Sequence, residues 1–327
     1  MADVHDSWCA KAFLRFHRHG AAGGTPGATV HQGGATAPLK LQRAFRREDG
    51  RCELPILHTA GGLVGGDELT IEAHLEAGSR ALLTSVAAQK VYGSIGRSRL
   101  APEGRWAGQA LCFRLDPEAD LEWLPQEVVL FAGGLFRQRT RVELAAGASF
   151  LGAEVVRLGR SGSGDGLGEG RWRSLLEIRR CGKAEGEEAA AGRWELVDRL
   201  ELAGDSLGSP HGMAAEPVFG SLVWAAPSPL AAPQLEQLLT DCRRDRGGLP
   251  GEMACGALRQ GLVARYRGPS SQAARFWFSR IWARLRAVRG LPPPRLPRVW
   301  PFQEEPFGPP GLVSPSGLPA ARSAESG

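Results

Sequence analysis

The chain is predicted to fold as a mainly β protein, a stacked or coiled arrangement of strands (β-helix-like, or a folded-over sandwich) with about two α-helices toward the C-terminus. Three observations predict it. Between residues 53 and 225, short apolar or alternating runs recur at 53–58, 68–75, 81–86, 110–115, 127–131, 135–144, 149–158, 172–179, 194–203 and 217–225, separated by turn residues. A strand-turn-strand unit repeats loosely: Leu75 to Leu83 is echoed by Leu144 to Gly152, and more faintly by Leu115 to Trp123. Past residue 230 the apolar period changes from two to that of a helix.

The first run, 53–58, enters the most distinctive segment of the chain, His58 to Asp67, which carries four glycines and an acid between two strand-like runs. Glycine tolerates positive φ and close backbone approach, so this spacing reads as a tight, shaped loop; a compact turn that needs glycine explains it equally. In the next run Leu69, Ile71, Ala73 and Leu75 alternate with Glu68, Thr70, Glu72 and His74, the pattern of a half-buried strand. Glu76 to Ser79 and Ala145 to Ala148 serve as turns. Residues 160–170 form a glycine-rich loop without the Gly-Lys-Ser/Thr ending of a phosphate loop, and 183–192 read as an exposed acidic, alanine-rich loop.

Leu235, Leu238, Leu239 and Cys242 share one face of a helix expected over 231–246. Ser270-Ser271 offers an N-cap to a second helix, in which Ala274, Phe278, Ile281, Leu285 and Val288 share a face, flanked by Trp277 and Trp282. Gly290 and Pro292 to Pro294 stop it. The organisation expected is one domain over 1–300 and a disordered Pro/Gly/Ser-rich tail over 301–327.

The composition, 43% hydrophobic and 23% charged, is that of an ordinary soluble protein. No apolar run approaches the ~20 residues that span a bilayer, and the first residues lack a secretory pattern. Six cysteines lie scattered without metal-ligand spacing, which points to reduced thiols and a cytoplasmic location. His17 and His19 would share one face of a strand, but in a frayed N-terminal region two ligands fall short of a metal shell. No nucleophile-base arrangement is visible.

The net charge is +5. Between Glu252 and Glu304 there are ten arginines and no carboxylate, so the segment is expected to seek an acidic partner surface, nucleic acid or an anionic membrane. Arg275, Arg284, Arg286, Arg295 and Arg298, with Trp300 as an anchor on a proline-stiffened strap, are the candidate partner-binding residues.

His58 to Asp67, followed by Leu82 to Ser94, resembles the paired signature of the urease accessory protein UreD (UreH) family. Leu121 to Glu127, Ala153-Glu154 through Gly159-Arg160, and Gly261 to Arg286 fit in the same order. The chain departs from the family pattern at Ser85, Gly93 and Ala132. The resemblance implies a helical coil of strands with two helices, a non-catalytic scaffold binding apo-urease, UreF and the GTPase UreG, no tightly bound cofactor, and transient contact with nickel. It singles out the loop residues His58, Gly62, Gly65, Gly66, Asp67, Thr84, Lys90 and Tyr92. Polar residues for nickel transit are Asp67, Glu127 and Glu154, with Thr84, Lys90 and Arg160 from the same motifs. Lys90 and Arg160 could equally pair with Asp67 or Glu154 as buried salt bridges. The alternative from another class is a basic, β-rich nucleic-acid-binding protein; against it, the aromatics cluster on a helix rather than among basic residues on strands.

Overall fold

A computed structural model describes residues 7–20, 27–160, 163–181, 192–300 and 305–307. Eighteen strands follow one another: β1 (Cys9–His19), β2 (Ala28–Ala35), β3 (Leu39–Leu41), β4 (Phe45–Arg46), β5 (Cys52–His58), β6 (Glu68–Leu75), β7 (Arg80–Ser85), β8 (Gln89–Val91), β9 (Ala107–Leu115), β10 (Asp120–Trp123), β11 (Val128–Leu130), β12 (Leu135–Leu144), β13 (Ser149–Leu158), β14 (Arg171–Arg180), β15 (Arg193–Leu202), β16 (Val218–Ala225), β17 (Glu252–Leu258) and β18 (Gly261–Gly268). Among the described residues there are three helices, α1 (Asp205–Gly208), α2 (Ala232–Arg244) and α3 (Ser271–Val288).

The strands form a seven-stranded sheet, β15-β14-β12-β9-β6-β1-β2, and a larger one whose main path is β17-β18-β16-β13-β10-β7-β5-β3. From β5 to β14 the chain alternates between them. Thus β6, β9, β12 and β14 pair in parallel in the first sheet, and β5, β7, β10 and β13 in the second. This is the coil that the repeated strand-turn-strand unit predicts. The three echoing segments are three successive corners from first sheet to second, stacked by hydrogen bonds. Gly78 N donates to Pro117 O at 2.9 Å, Glu118 N to Ala146 O at 3.1 Å, and Ser149 N to Ala119 O at 2.9 Å. The repeat exists because each corner must hand the chain to the same rung position above the last.

Alternation sets the core. Leu69, Ile71, Ala73 and Leu75 point inward with Leu111, Phe113 and Leu115 from β9 and Phe136, Val142 and Leu144 from β12, against Leu54, Leu83, Leu121 and Phe150 of the second sheet. The outer face of the second sheet is covered by α2 and α3, where Leu238, Leu239, Cys242, Ala274, Phe278, Ile281 and Leu285 are buried as their spacing predicts. Ser270 caps α3, its side chain accepting from Ala273 N. Trp277 and Trp282 are core residues, not surface ones.

Two expectations fail at the chain's ends. The N-terminal region is not frayed: β1 lies inside the first sheet between β2 and β6. The strap after α3 is not a free surface. Trp300, 8% exposed, packs in the second core cluster beside Trp282, its Nε1 donating to Thr84 Oγ1 at 3.0 Å. The segment 301–327 lies outside the described residues except for 305–307, where the Pro306 carbonyl accepts from Arg280 Nε at 2.8 Å. Most of the acidic loop expected at 183–192 is likewise outside them.

The ten arginines are largely neutralised by acids distant in sequence. Arg265 pairs with Asp198, Arg267 with Glu252, Arg275 with Glu127, Arg284 with Asp245, Arg286 with Glu122 and Asp49, Arg289 with Asp120, and Arg295 with Glu48. Arg286, with Arg51 and Arg289, joins Asp49, Asp120 and Glu122 in a buried network of three cations and three anions between α3 and β10. Burial alone would raise the Asp120 carboxyl, but the guanidinium groups of Arg51 and Arg289 outweigh it and hold the carboxyl well below the usual range.

Candidate functional site

The corners opposite the repeated turns form the other edge of the coil, and the glycine loop between β5 and β6 is the first of them. Leu63 bridges Val91 in parallel, Leu63 N donates to Lys90 O at 2.8 Å and Tyr92 N to Leu63 O at 2.9 Å, so the loop is one stacked rung. A Cβ on Gly65 would sit within contact distance of Ser94 Oγ and 2.7 Å from the Arg105 carbonyl oxygen; Gly66 has φ 104°. Gly65 is glycine because the next rung passes directly over it, and Gly66 because its backbone conformation disfavours a side chain.

Asp67 is buried and fixes this loop. Its Oδ1 accepts from Trp8 N and its Oδ2 from Val64 N, both at 2.9 Å. Among the described residues no cation pairs with it, and its two backbone bonds are those of turn capping rather than of a salt bridge. Replacing Asp67 with alanine is expected to leave two backbone donors unmet. The variant should lose about 1–3 kcal/mol in a denaturant melt. An unchanged midpoint would remove the capping role.

Inside the coil, beside this edge, lies a cavity of about 220 Å³. The first sheet contributes Gln109 and Gln138, direct neighbours on β9 and β12; Ser174 of β14 pairs next to Gln138. The second sheet contributes His58, Gln126 and Glu154. Ser174 Oγ donates to Glu154 Oε2 at 3.2 Å, and Gln89 Nε2 lies 3.2 Å from His58 Nδ1. Three polar atoms here are buried without a partner: His58 Nε2, Gln126 Nε2 and Glu154 Oε1. Buried polar groups are ordinarily hydrogen-bonded, so three orphans around one cavity mark a place that takes polar guests; at ~30 Å³ each, it has room for several waters.

Electrostatics follow from burial. Glu154 is pushed from 4.5 up to about 7, mainly by desolvation, with Ser174 and Arg265 opposing. Desolvation lowers His58, with Asp67 opposing, so the imidazole is neutral and free to ligate near pH 7. Among the described residues no three His, Cys, Asp or Glu side chains are placed to share a metal ion, so the cavity offers scattered donors rather than a closed shell.

The residues singled out from the sequence fall into two groups. His58, Gly62, Lys90 and Glu154 border the cavity. Thr84 and Glu127 do not: Thr84 Oγ1 donates to Leu124 O at 2.6 Å beneath Trp300, and Glu127 is held by Arg275 at 2.9 Å. Tyr92 stands edge-on to Phe131. Arg160 pairs with Asp165 and lies 5.0 Å above the Phe131 ring, away from Glu154. His17 and His19 gain no third ligand among the described residues.

The arginines expected to face outward as a partner surface are corrected in part. Arg275, Arg284 and Arg286 have 10%, 16% and 6% of their side chains exposed and are spent on internal pairs, and Trp300 is core. Arg295 and Arg298 stay exposed, Arg298 over the Phe45 ring. The same pairs neutralise most of the basic segment that suggested the nucleic-acid alternative. Sequence reasoning passed over Gln109, Gln138 and Ser174. Their signal was a polar side chain in the inward phase of an alternating strand.

A family model described as "UreD urease accessory protein" matches residues 9–301. Curated relatives bearing the name "Urease accessory protein UreD" are similar over most of their length. That of Synechococcus sp. strain WH7805 is 59% identical over 322 residues, covering 97% of this chain and 98% of the relative. That of Parasynechococcus marenigrum strain WH8102 is 59% identical over 302 residues, 92% and 93% of the two chains. That of Prochlorococcus marinus strain MIT 9313 is 62% identical over 278 residues, 85% of each.

Proposed function

The chain belongs to the UreD family of urease accessory proteins, and from that premise we propose that it is a non-catalytic scaffold of urease maturation, binding apo-urease, UreF and UreG in the cytoplasm while nickel is inserted. The observation that carries the nickel part of this reading is the interior cavity with its orphaned His58, Gln126 and Glu154 atoms. Nickel is borderline in softness and accepts imidazole, carboxylate and water. A protein that passes the ion on must hold it weakly, and a cavity with room for water, one imidazole whose pKa burial lowers and one carboxyl whose pKa burial raises suits that task. No helix among the described residues is long and apolar enough to cross a membrane.

Glu154→Gln tests the cavity without changing its shape. With apo-urease and purified accessory partners, the variant should assemble as wild type does while nickel loading of urease falls roughly tenfold, the scale on which polar neighbours tune metal handling. Undiminished loading would remove Glu154 from the path. The same substitution carries a pH signature. A folded-state pKa above the unfolded one contributes stability below about pH 4.5 that is lost as pH rises through about 7. Relative to the variant, the wild type should therefore lose up to about 3 kcal/mol between those limits. Hydrolysis of urea or GTP by the purified chain, abolished by a single substitution, would overturn the non-catalytic reading.

A further inference from the structure

Among the described residues α2 and α3 pack on the other sheet, and neither covers the outer face of the seven-stranded sheet. Register turns this face into rows. One row runs Lys11, Thr70, Ala110, Arg139, Leu175, Arg199 across β1, β6, β9, β12, β14 and β15. It holds three exposed cations and no carboxylate, and none of the three has an ion-pair partner among the described residues. The row on one side is balanced, Arg137 pairing with Glu68 and Arg173 with Glu201. The row on the other side sets Arg141 between Glu72 and Glu177. A shallow groove of about 640 Å³ runs over Arg139, Leu175 and Arg199.

We propose that this row, Lys11, Arg139 and Arg199, is the docking surface for an acidic segment of a protein partner. The inference rests on the scaffold reading, because it supplies a surface by which a maturation partner is held. Five strand spacings of ~4.8 Å make the row roughly 24 Å long. The short side chains of Thr70 and Ala110 between the cations let a partner's carboxylates reach the sheet. Unpaired cations on a flat face attract anions over a Debye length and then pair on contact.

The flanking rows say which kind of anion fits. On one side Glu68 and Glu201 are already held by Arg137 and Arg173; on the other, one alternation or about 7 Å away, Glu72 and Glu177 share a single cation, Arg141. A polyphosphate backbone broader than the row would meet them, whereas a single line of carboxylates would not. The apolar groups at the ends of the neighbouring row, Phe13 at 56% exposure and Val197 at 46%, suit a protein surface. No aromatic stands in the cationic row to stack a base.

The test uses the full chain with Lys11→Glu, Arg139→Glu and Arg199→Glu together, and Arg141→Glu as control; melts establish that both fold. One probe is a labelled ten-residue peptide of alternating Glu and Ser, a second a ten-nucleotide single-stranded RNA, both read by anisotropy at low and moderate salt. A third arm is assembly with purified apo-urease, UreF and UreG. Wild type and control should bind the peptide, more weakly as salt rises. The triple variant should bind it at least about tenfold more weakly, the sum of three exposed charge pairs, and fail to retain one protein component. Peptide binding or assembly by the triple variant equal to wild type overturns the inference and leaves the scaffold reading standing. Preferential binding of the RNA by wild type overturns it in favour of nucleic acid. Failure of the wild-type protein to assemble with any urease component overturns the scaffold reading, and the inference falls with it.

Discussion

Replacing Arg51 with methionine is expected to destabilise the protein by about 3–5 kcal/mol, the usual cost of removing one partner from a buried charge cluster. Arg51 is 1% exposed and is shared by three carboxylates, Asp49, Asp120 and Glu122. Without it, Arg286 and Arg289 must serve three anions, and one negative charge stays buried and uncompensated. Its guanidinium also donates to the Ala81 carbonyl at 3.1 Å, a bond methionine cannot replace. Urea unfolding at pH 7 reads the loss. The variant should recover partly at low pH. Asp49 and Asp120 have folded pKa values below the ordinary 3.8, so their contribution is present above that value and fades in wild type as pH falls through the folded pKa. A change under about 1 kcal/mol at pH 7 would mean that the network relaxes around the gap.

Deleting everything after Gly290 is expected to damage the fold rather than merely a binding surface, with a loss of at least about 3–5 kcal/mol. The strap is held at several points. Trp300 fills a place in the second core cluster and donates to Thr84, the Leu296 carbonyl accepts from Arg47 at 3.3 Å, and the Pro292 carbonyl accepts from Arg286 Nε at 2.7 Å. Removing it exposes the apolar floor formed by Leu82 and Trp282 and strips an acceptor from an already buried guanidinium. Trp300→Ala in the full chain isolates the largest contribution and should by itself cost a similar amount. If the truncated chain keeps the wild-type melting curve and loses only partner binding, the strap is an interface after all.

The parts of the fold legible in the sequence are those that local physics sets. Alternation at 68–75 gives β6 residue for residue, and the runs at 135–144 and 149–158 give β12 and β13 with the same bounds. The two helices follow from their apolar faces and from Ser270 and Gly290. The loop His58 to Asp67 could be read as shaped because only close approach explains paired glycines there. Strands β1, β2, β3, β4, β8, β10, β17 and β18 lie outside the runs that the sequence predicts. The histidines and arginines on β1 dilute an alternation that is present in Ala10, Ala12, Leu14 and Phe16, and the glycines of β2 carry no side chain to alternate.

Half of the candidate site was legible in the same way. His58 and Glu154 stood out by their motifs, but Gln109, Gln138 and Ser174 become one polar row only when β9, β12 and β14 are set in register. The sequence alone determined ten of the strands, the two longer helices, the repeated corner and the family, because each depends on residues within a few positions of one another. The tertiary structure alone decided what the charges do. Arg286 meets Glu122 across 164 residues and Arg289 meets Asp120 across 169, while Lys11, Arg139 and Arg199, unremarkable in the sequence, are left without anions among the described residues. Neutralisation depends on distance in space, and in a coil that returns each strand to the same sheet, that distance is set by register rather than by order along the chain.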